Sequence, residues 1–280
     1  MENIRERIVS CAGRVWFCAK ELLKWLALAM ITGVPCGIIG AAFDLAVEHV
    51  TELRTEHTAI LFLLPVIGLV IVAFYKAAKL EGVSTDDMID CVKDGKPIRF
   101  WLLPVMFFST VLTHLGGGSA GREGAALQMG GTIGWWAGGV LHLNEHERRM
   151  AVQCGMAAFF SALFSTPLAA TFFAMTIVNV GVVFYAAYIP CFAAALIAYG
   201  ISLLIGVSPT RFAVDVPAFE PAMAVRVVLL ALACAVVVHL FCFVLHSAAH
   251  GLPKLLPNPW VRVFLGGCVV VLFTLLYGDM

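Results

Sequence analysis

The chain has 280 residues, 61% of them hydrophobic and 13% charged, with 18 basic against 18 acidic side chains and a mean hydropathy of +0.94. Soluble domains carry roughly a quarter charged residues and about half apolar ones, so this composition excludes an ordinary soluble domain and defines an integral membrane protein. The balanced charge offers no basic surface, so no nucleic-acid partner is expected.

The N-terminal stretch "MENIRERIVSCAGRVWFCAKELLKW" is polar and carries five Lys/Arg. It lacks an apolar core followed by a small-residue cleavage site, and residues 1–21 read as a cytoplasmic segment rather than a signal peptide. Apolar helices are predicted at about 22–48, 59–78, 98–115, 124–141, 148–164, 166–183, 184–206, 222–250 and 260–277. A plain span needs about 20 apolar residues. Several of these segments are too short for that, and Pro35, Pro104, Pro167 and Pro190 interrupt others. Broken and re-entrant helices are therefore expected. Lys76 and Lys79 follow the second segment, so both they and the N-terminus fall on the cytoplasmic side of a cell membrane by the positive-inside rule.

A weak self-similarity recurs at an offset of about 200: "WLALAMITGVPCGIIGAAFDLAVEHV" faces "VRVVLLALACAVVVHLFCFVLHSAAH", with Phe43 and Phe243 in register. "ILFLLPVIGLVIVAFY" similarly faces "WVRVFLGGCVVVLFTLLY". The pattern divides the chain into a first membrane repeat at 22–206, a linker at 207–221 and the start of a second repeat at 222–280. The second copy stops after its second helix. Nine cysteines are scattered without a CxxC pair and read as reduced, buried small residues, with neither a disulfide nor a zinc framework.

The chemistry concentrates in "HLGGGSAGREGAALQMGG", residues 114–131. The run GGGSAG formally matches a dinucleotide fingerprint, but the stretch before it is too long and too apolar for the strand that motif needs, and no cofactor is predicted. Irregular backbone at membrane depth survives only where it is buried in protein or lines a water-filled cavity. Glycines 116, 117, 118, 121 and 124 let backbone N–H groups point freely, and a helix beginning near Gly124 would aim its positive end at the same spot. That is an anion site made of backbone. Glu123 then acts as a tethered anion which, once protonated, swings away and admits a dissolved one. The structural alternative pairs Glu123 with Arg122 at a membrane interface.

"GREGAALQMGG" resembles the G-R-E-G-P motif of the CLC chloride channels and anion/proton exchangers. "AVQCGMAAFFSALFSTPLAATFFAM" resembles the family's run into N-A-P-L-A-G, and "EGVSTDDMID" falls where the family has G-S-G-I-P. The resemblance implies an all-α polytopic membrane protein with an antiparallel, inverted-repeat architecture. It also implies a homodimer with one pore per subunit, Glu123 as the gating and proton-coupling glutamate, and an anion held by the turn and helix start at Gly121, Arg122, Gly124 and Ala125. The departures are informative. The pore serine would fall on Val83, with Ser84 able to serve if the alignment slips by one; Ala125 replaces a proline; and Thr176 and Ile177 stand where exchangers carry an inner glutamate. Loss of both pore serine and inner acid resembles the fluoride-exporting branch. The resemblance thus implies antiport of a halide, fluoride in preference to chloride, against protons. A passive chloride channel of the same family is the alternative.

His246 and His250 are spaced as metal ligands can be, but lack a third ligand and read as interfacial histidines. Asp86, Asp87 and Asp90 fit a capped short helix, or else line a cytoplasmic vestibule or bind a cation; "HLNEHERR" is a solvated loop whose charges start the next helix. Arg122 is expected to orient the turn through backbone carbonyls, and Trp135, Trp136 and Trp260 to sit at membrane interfaces. An intramembrane enzyme using Glu123 or a His pair is the reading of another class, and no nucleophile–base pair assembles to support it. An inactive scaffold is a third. The family's second glycine-rich anion loop and pore tyrosine are not found, so the chain is predicted to be a non-transporting fragment. Reconstituted as it stands in liposomes, it is expected to move neither fluoride nor chloride, and robust flux of either anion defeats that expectation.

Overall fold

The computed structural model describes residues 2–177, 185–209 and 221–277, and those residues are helical with connecting turns. The first helix, α1 (Glu2–Glu56), runs without a break through the polar N-terminal stretch and the first apolar segment, Pro35 included. A 3-10 turn at Thr58–Leu63 leads into α2 (Leu64–Ala77), which starts with Pro65 in its first turn, where proline's missing N–H costs nothing. Next come α3 (Thr85–Asp94), α4 (Leu102–Leu115), α5 (Arg122–Val140), α6 (Glu145–Phe164) and α7 (Pro167–Thr176). After a short 3-10 turn at Tyr185–Ala187, α8 (Tyr188–Ile205), α9 (Pro221–Leu255) and α10 (Pro259–Tyr277) complete the order. Most of the predicted linker at 207–221, and the end of the predicted 166–183 segment, lie outside the described residues.

Among the described residues, five segments are long and apolar enough to cross a membrane: Ala19–Glu56, Thr58–Ala77, Tyr185–Ile205, Met223–Leu255 and Pro259–Tyr277. The helices α4 and α7 are apolar but shorter, as the interrupted pattern predicted. The two short helices that the internal register pairs, α2 and α10, pack on each other: Val263 fills the space beside Gly68, and Gly267 lies against the backbone of Pro65.

Small residues set the packing of the first half. Along α5 and α6 the backbones themselves meet, for a Cβ added at Gly155 would lie 2.0 Å from the Gly130 carbonyl oxygen, and one at Gly134 would lie 2.1 Å from that of Ala151. Without hydrophobic drive between helices in lipid, such close approach is what lets dispersion hold them together. Around this seam α1 and α8 complete a core whose largest members are Phe43 and Phe159, and Phe43 stacks edge-on against Phe107 of α4 at 5.5 Å.

Gly155→Ala is expected to destabilise the protein by about 1–3 kcal/mol through forced separation of α5 and α6. Gly266→Ala, whose added Cβ meets nothing within 4 Å, should be neutral. Thermal melts in detergent compare the two, and equal midpoints would contradict the backbone seam.

Candidate anion site at the start of α5

The break between α4 and α5 is built from glycines that do two different jobs. Gly117 takes a left-handed φ of +78°, and an added Cβ there would meet Leu61 Cδ1 at 2.9 Å and Arg54 Cδ at 3.3 Å. Gly116 and Gly118 are pressed in the same way against Leu64 at the start of α2. The N–H groups of all three donate to carbonyls of Leu112, His114 and Thr113, closing the end of α4. This corrects the expectation that every glycine of the run presents a free donor.

The free donors belong to the next helix. It begins at Arg122, two residues earlier than expected, with Gly121 as a cap residue that has no side chain to offer. By contrast, α3 and α6 open with full capping boxes at Ser84/Asp87 and Asn144/Glu147. The first N–H groups of α5 therefore lack both an intrahelical and a side-chain acceptor, at the positive end of the helix dipole. Glu123 is exposed and curls back over that end, its Oε2 3.5 Å from where a Gly121 Cβ would be. Among the described residues its carboxylate has no ion pair and no side-chain hydrogen bond. Arg122 is not its partner, nor does it bind turn carbonyls: its Nη1 donates to Asp44 Oδ1 of α1 at 2.8 Å, across 78 residues of sequence. The interfacial Glu123–Arg122 pair is thereby excluded.

Beneath this helix start lies a cavity of about 430 Å³ between α2, α3, α4 and α5. Backbone at Gly121, Gly124 and Ala125 forms one wall, and hydroxyls of Tyr75, Thr85, Ser109, Thr110 and Thr113 face it with the Gln128 amide. Gln128 Nε2 donates to Thr85 Oγ1 at 3.2 Å, and that hydroxyl would stand 3.3 Å from a Cβ on Gly124. Ser109 Oγ and Gln128 Oε1 are buried without a partner. Buried polar atoms are normally satisfied; these two belong to residues that border the cavity without opening onto it, and it is the helix start that suits the space to a small polar guest.

Of the residues singled out in the sequence, Gly121, Gly124 and Ala125 line the cavity and Glu123 stands at its edge. Val83 is half-buried against the core, and Ser84 is engaged as the cap of α3, its oxygen accepting from Asp86 N at 3.2 Å. It is the next residue, Thr85, that reaches the cavity. Thr176 turns its hydroxyl onto Phe172 O at 2.8 Å at the end of α7, and neither it nor Ile177 lines the space. Sequence reading missed Thr85, Gln128, Asp44 and the α4 hydroxyls. A signal existed for the last: "FFSTVLTHL" places Ser109, Thr110 and Thr113 on one face of an otherwise apolar helix.

Elsewhere, Asp87 proves to be the capping-box partner of Ser84 at the start of α3, and the Asp90 carboxylate holds Lys96, raising the lysine's pKa. Burial pushes the Cys91 thiol up to about 12. His246 and His250 each turn Nδ1 onto a carbonyl of their own helix, those of Cys242 and His246. Trp135 is buried rather than interfacial, lying 3.7 Å under the Arg148 guanidinium, while Trp136 is exposed.

Long apolar helices define an integral membrane protein, and an uncapped helix start beside a polar cavity, with a free carboxylate at its rim, is an arrangement suited to a small anion. The voltage gated chloride channel family model matches residues 68–280, and the chain belongs to that family. A "Chloride/fluoride channel protein" of Pseudomonas syringae pv. tomato is 31% identical over 254 residues, covering 89% of this chain and 56% of that protein. An "H(+)/Cl(-) exchange transporter ClcA" of Cronobacter sakazakii is 34% identical over 171 residues, or 55% of this chain and 36% of that protein. Among solved structures, a CLC-type fluoride/proton antiporter superposes with a TM-score of 0.85 at 29% identity, covering 92% of this chain and 66% of the other. A slow cyanobacterial Cl-/H+ antiporter shares the fold, with a TM-score of 0.75 at 22% identity.

Asp44 and Arg122 are expected to couple. In a double-mutant cycle of Asp44→Ala and Arg122→Ala, thermal unfolding should report about 0.5–1 kcal/mol of interaction, the range for a partly exposed pair. Strictly additive losses would mean that the contact does not position α5.

Proposed function

We propose that the chain forms the anion pathway of a fluoride/proton antiporter of the cell membrane, with Glu123 as gate and proton carrier. The carrying observation is the unpaired Glu123 carboxylate beside the uncapped start of α5, at the edge of the hydroxyl-lined cavity. Ionised, Glu123 occupies the positive helix end; protonated, it withdraws and an anion takes its place. One side chain thus exchanges a proton for an anion.

The donor lost with the family's pore serine is supplied by Thr85. Because Gln128 Nε2 donates to Thr85 Oγ1, the hydroxyl's own proton is free to point at the guest. Fluoride, the smallest and most strongly hydrated halide, gives up the most water on entry, and several hydroxyls in reach suit it best. Thr176 and Ile177 supply no inner acid, consistent with the fluoride branch, and the 29%-identical fluoride/proton antiporter points the same way. We place the N-terminus in the cytoplasm and the active form in a homodimer, as the family resemblance implies. A passive channel is the second reading, favoured by the name of the Pseudomonas relative.

Flux from liposomes decides between them, with fluoride and chloride electrodes paired with a pH probe, on the chain by itself and with any sequence its gene encodes beyond Met280. Fluoride efflux should drive protons inward, and Glu123→Gln should abolish that coupling. Thr85→Val should slow fluoride at least tenfold, since a hydrogen bond to an ion is worth roughly 1.5–3 kcal/mol. Flux without proton movement makes the protein a channel; undiminished flux in Thr85→Val removes Thr85 from the site.

A further inference from the structure

On the far side of α2 and α4 from the anion cavity lies an open groove of about 730 Å³. Its walls are Phe74 and Ala77 of α2 with Trp101, Pro104, Val105 and Phe108 of α4. Trp101 and Phe108 are 64% and 55% exposed. The groove is apolar along its length and cationic at one end, where Lys79 lines it.

Two cations are uncommitted there. Lys79 sits in a left-handed turn with φ +56°, and Arg99 Nη1 donates to its carbonyl, which holds the two residues side by side. Among the described residues neither side chain has a carboxylate partner. Their neighbours are occupied: Lys76 lies 4.0 Å from Glu81 and over the Trp260 ring, and Lys96 pairs with Asp90.

The placement relative to the bilayer selects the guest. The apolar segment Thr58–Ala77 ends two residues before Lys79, so the cations stand at headgroup level. Trp101, at the same end, has the amphipathic ring that favours this interface. From there to Phe108 is seven residues, about 10 Å along a helix, directed into the hydrocarbon. A charged head at one end and an apolar trough leading inward match one molecule of the surrounding solvent. We propose that this groove is a binding site for an anionic phospholipid, its phosphate between Lys79 and Arg99 and an acyl chain along Phe74, Pro104 and Phe108. Basic pockets between membrane helices hold anionic headgroups by the same attraction.

The test is tryptophan quenching in phosphatidylcholine vesicles doped with brominated phosphatidylglycerol or brominated phosphatidylcholine. A saturable component should appear at low mole fraction with the anionic lipid only, and vanish in Trp101→Phe. The Lys79→Gln, Arg99→Gln double variant should need a higher mole fraction for half-saturation, by about fivefold for each charge removed. The charge-keeping pair Lys79→Arg, Arg99→Lys should bind as wild type, which separates loss of charge from damage to the turn. Equal quenching by both lipids, unchanged half-saturation in the double variant, or a Trp101 that neither lipid reaches because protein covers it, each overturns the site.

Discussion

The position of the candidate site depends on one contact, the meeting of α5 and α6 through bare backbone. With a Cβ at Gly155 only 2.0 Å from the Gly130 oxygen, the axis of α5 cannot move without separating the pair. The salt bridge from Arg122 to Asp44 ties the first turn of the same helix to α1. Held at both places, α5 can begin without a cap. Glycine in place of a capping side chain costs only a few tenths of a kcal/mol, a loss offset by packing elsewhere. The result is a set of unpaired donors aimed at the cavity that need no local support.

Glycine serves three separate ends within forty residues of this chain. At 116–118 it permits a tight turn against Leu61 and Leu64, with its N–H groups consumed by the end of α4. Gly121 and Gly124 leave room beside the cavity. Further on, Gly130, Gly134 and Gly155 let helices touch. A motif read as letters merges these roles, which is why the sequence reading assigned free donors to the whole run. Packing separates them.

What was legible followed from local rules. Helix limits came from apolar runs and their glycine and proline breaks, and a capped short helix was one reading of the aspartates at 86, 87 and 90, though not with Ser84 as its cap. What was not legible needed either rotation about a helix or a distant partner. Whether Val83, Ser84 or Thr85 reaches the cavity turns on a single residue of rotation; Ser84 is spent as a cap and Thr85 lines the space. Asp44 lies 78 residues from Arg122, and no local pattern links them. Trp135 sits in an apolar run like any interfacial tryptophan, but Arg148 of the next helix covers it.

The groove and the cavity share the same two helices. Along α4, Trp101, Pro104 and Phe108 face the groove, whereas Met106, Ser109, Thr110 and Thr113 face the cavity. On α2, Phe74 and Ala77 are divided from Ile71 and Tyr75 in the same way. One side-chain contact between the two helices is that of Tyr75 Oη with Met106 Sδ at 2.8 Å, both residues lining the cavity. Methionine is the most adaptable of apolar side chains, so this wall is the softest part of the cavity's lining. Spreading α2 from α4 on the groove side would bear on that contact and so on Tyr75, which lines the cavity. The glycine seam protects α5 from such movement, because α5 is gripped from its other side by α6. Movement between α2 and α4 would therefore bear on the Tyr75 side of the cavity, while the start of α5 is held by α6 and by Asp44.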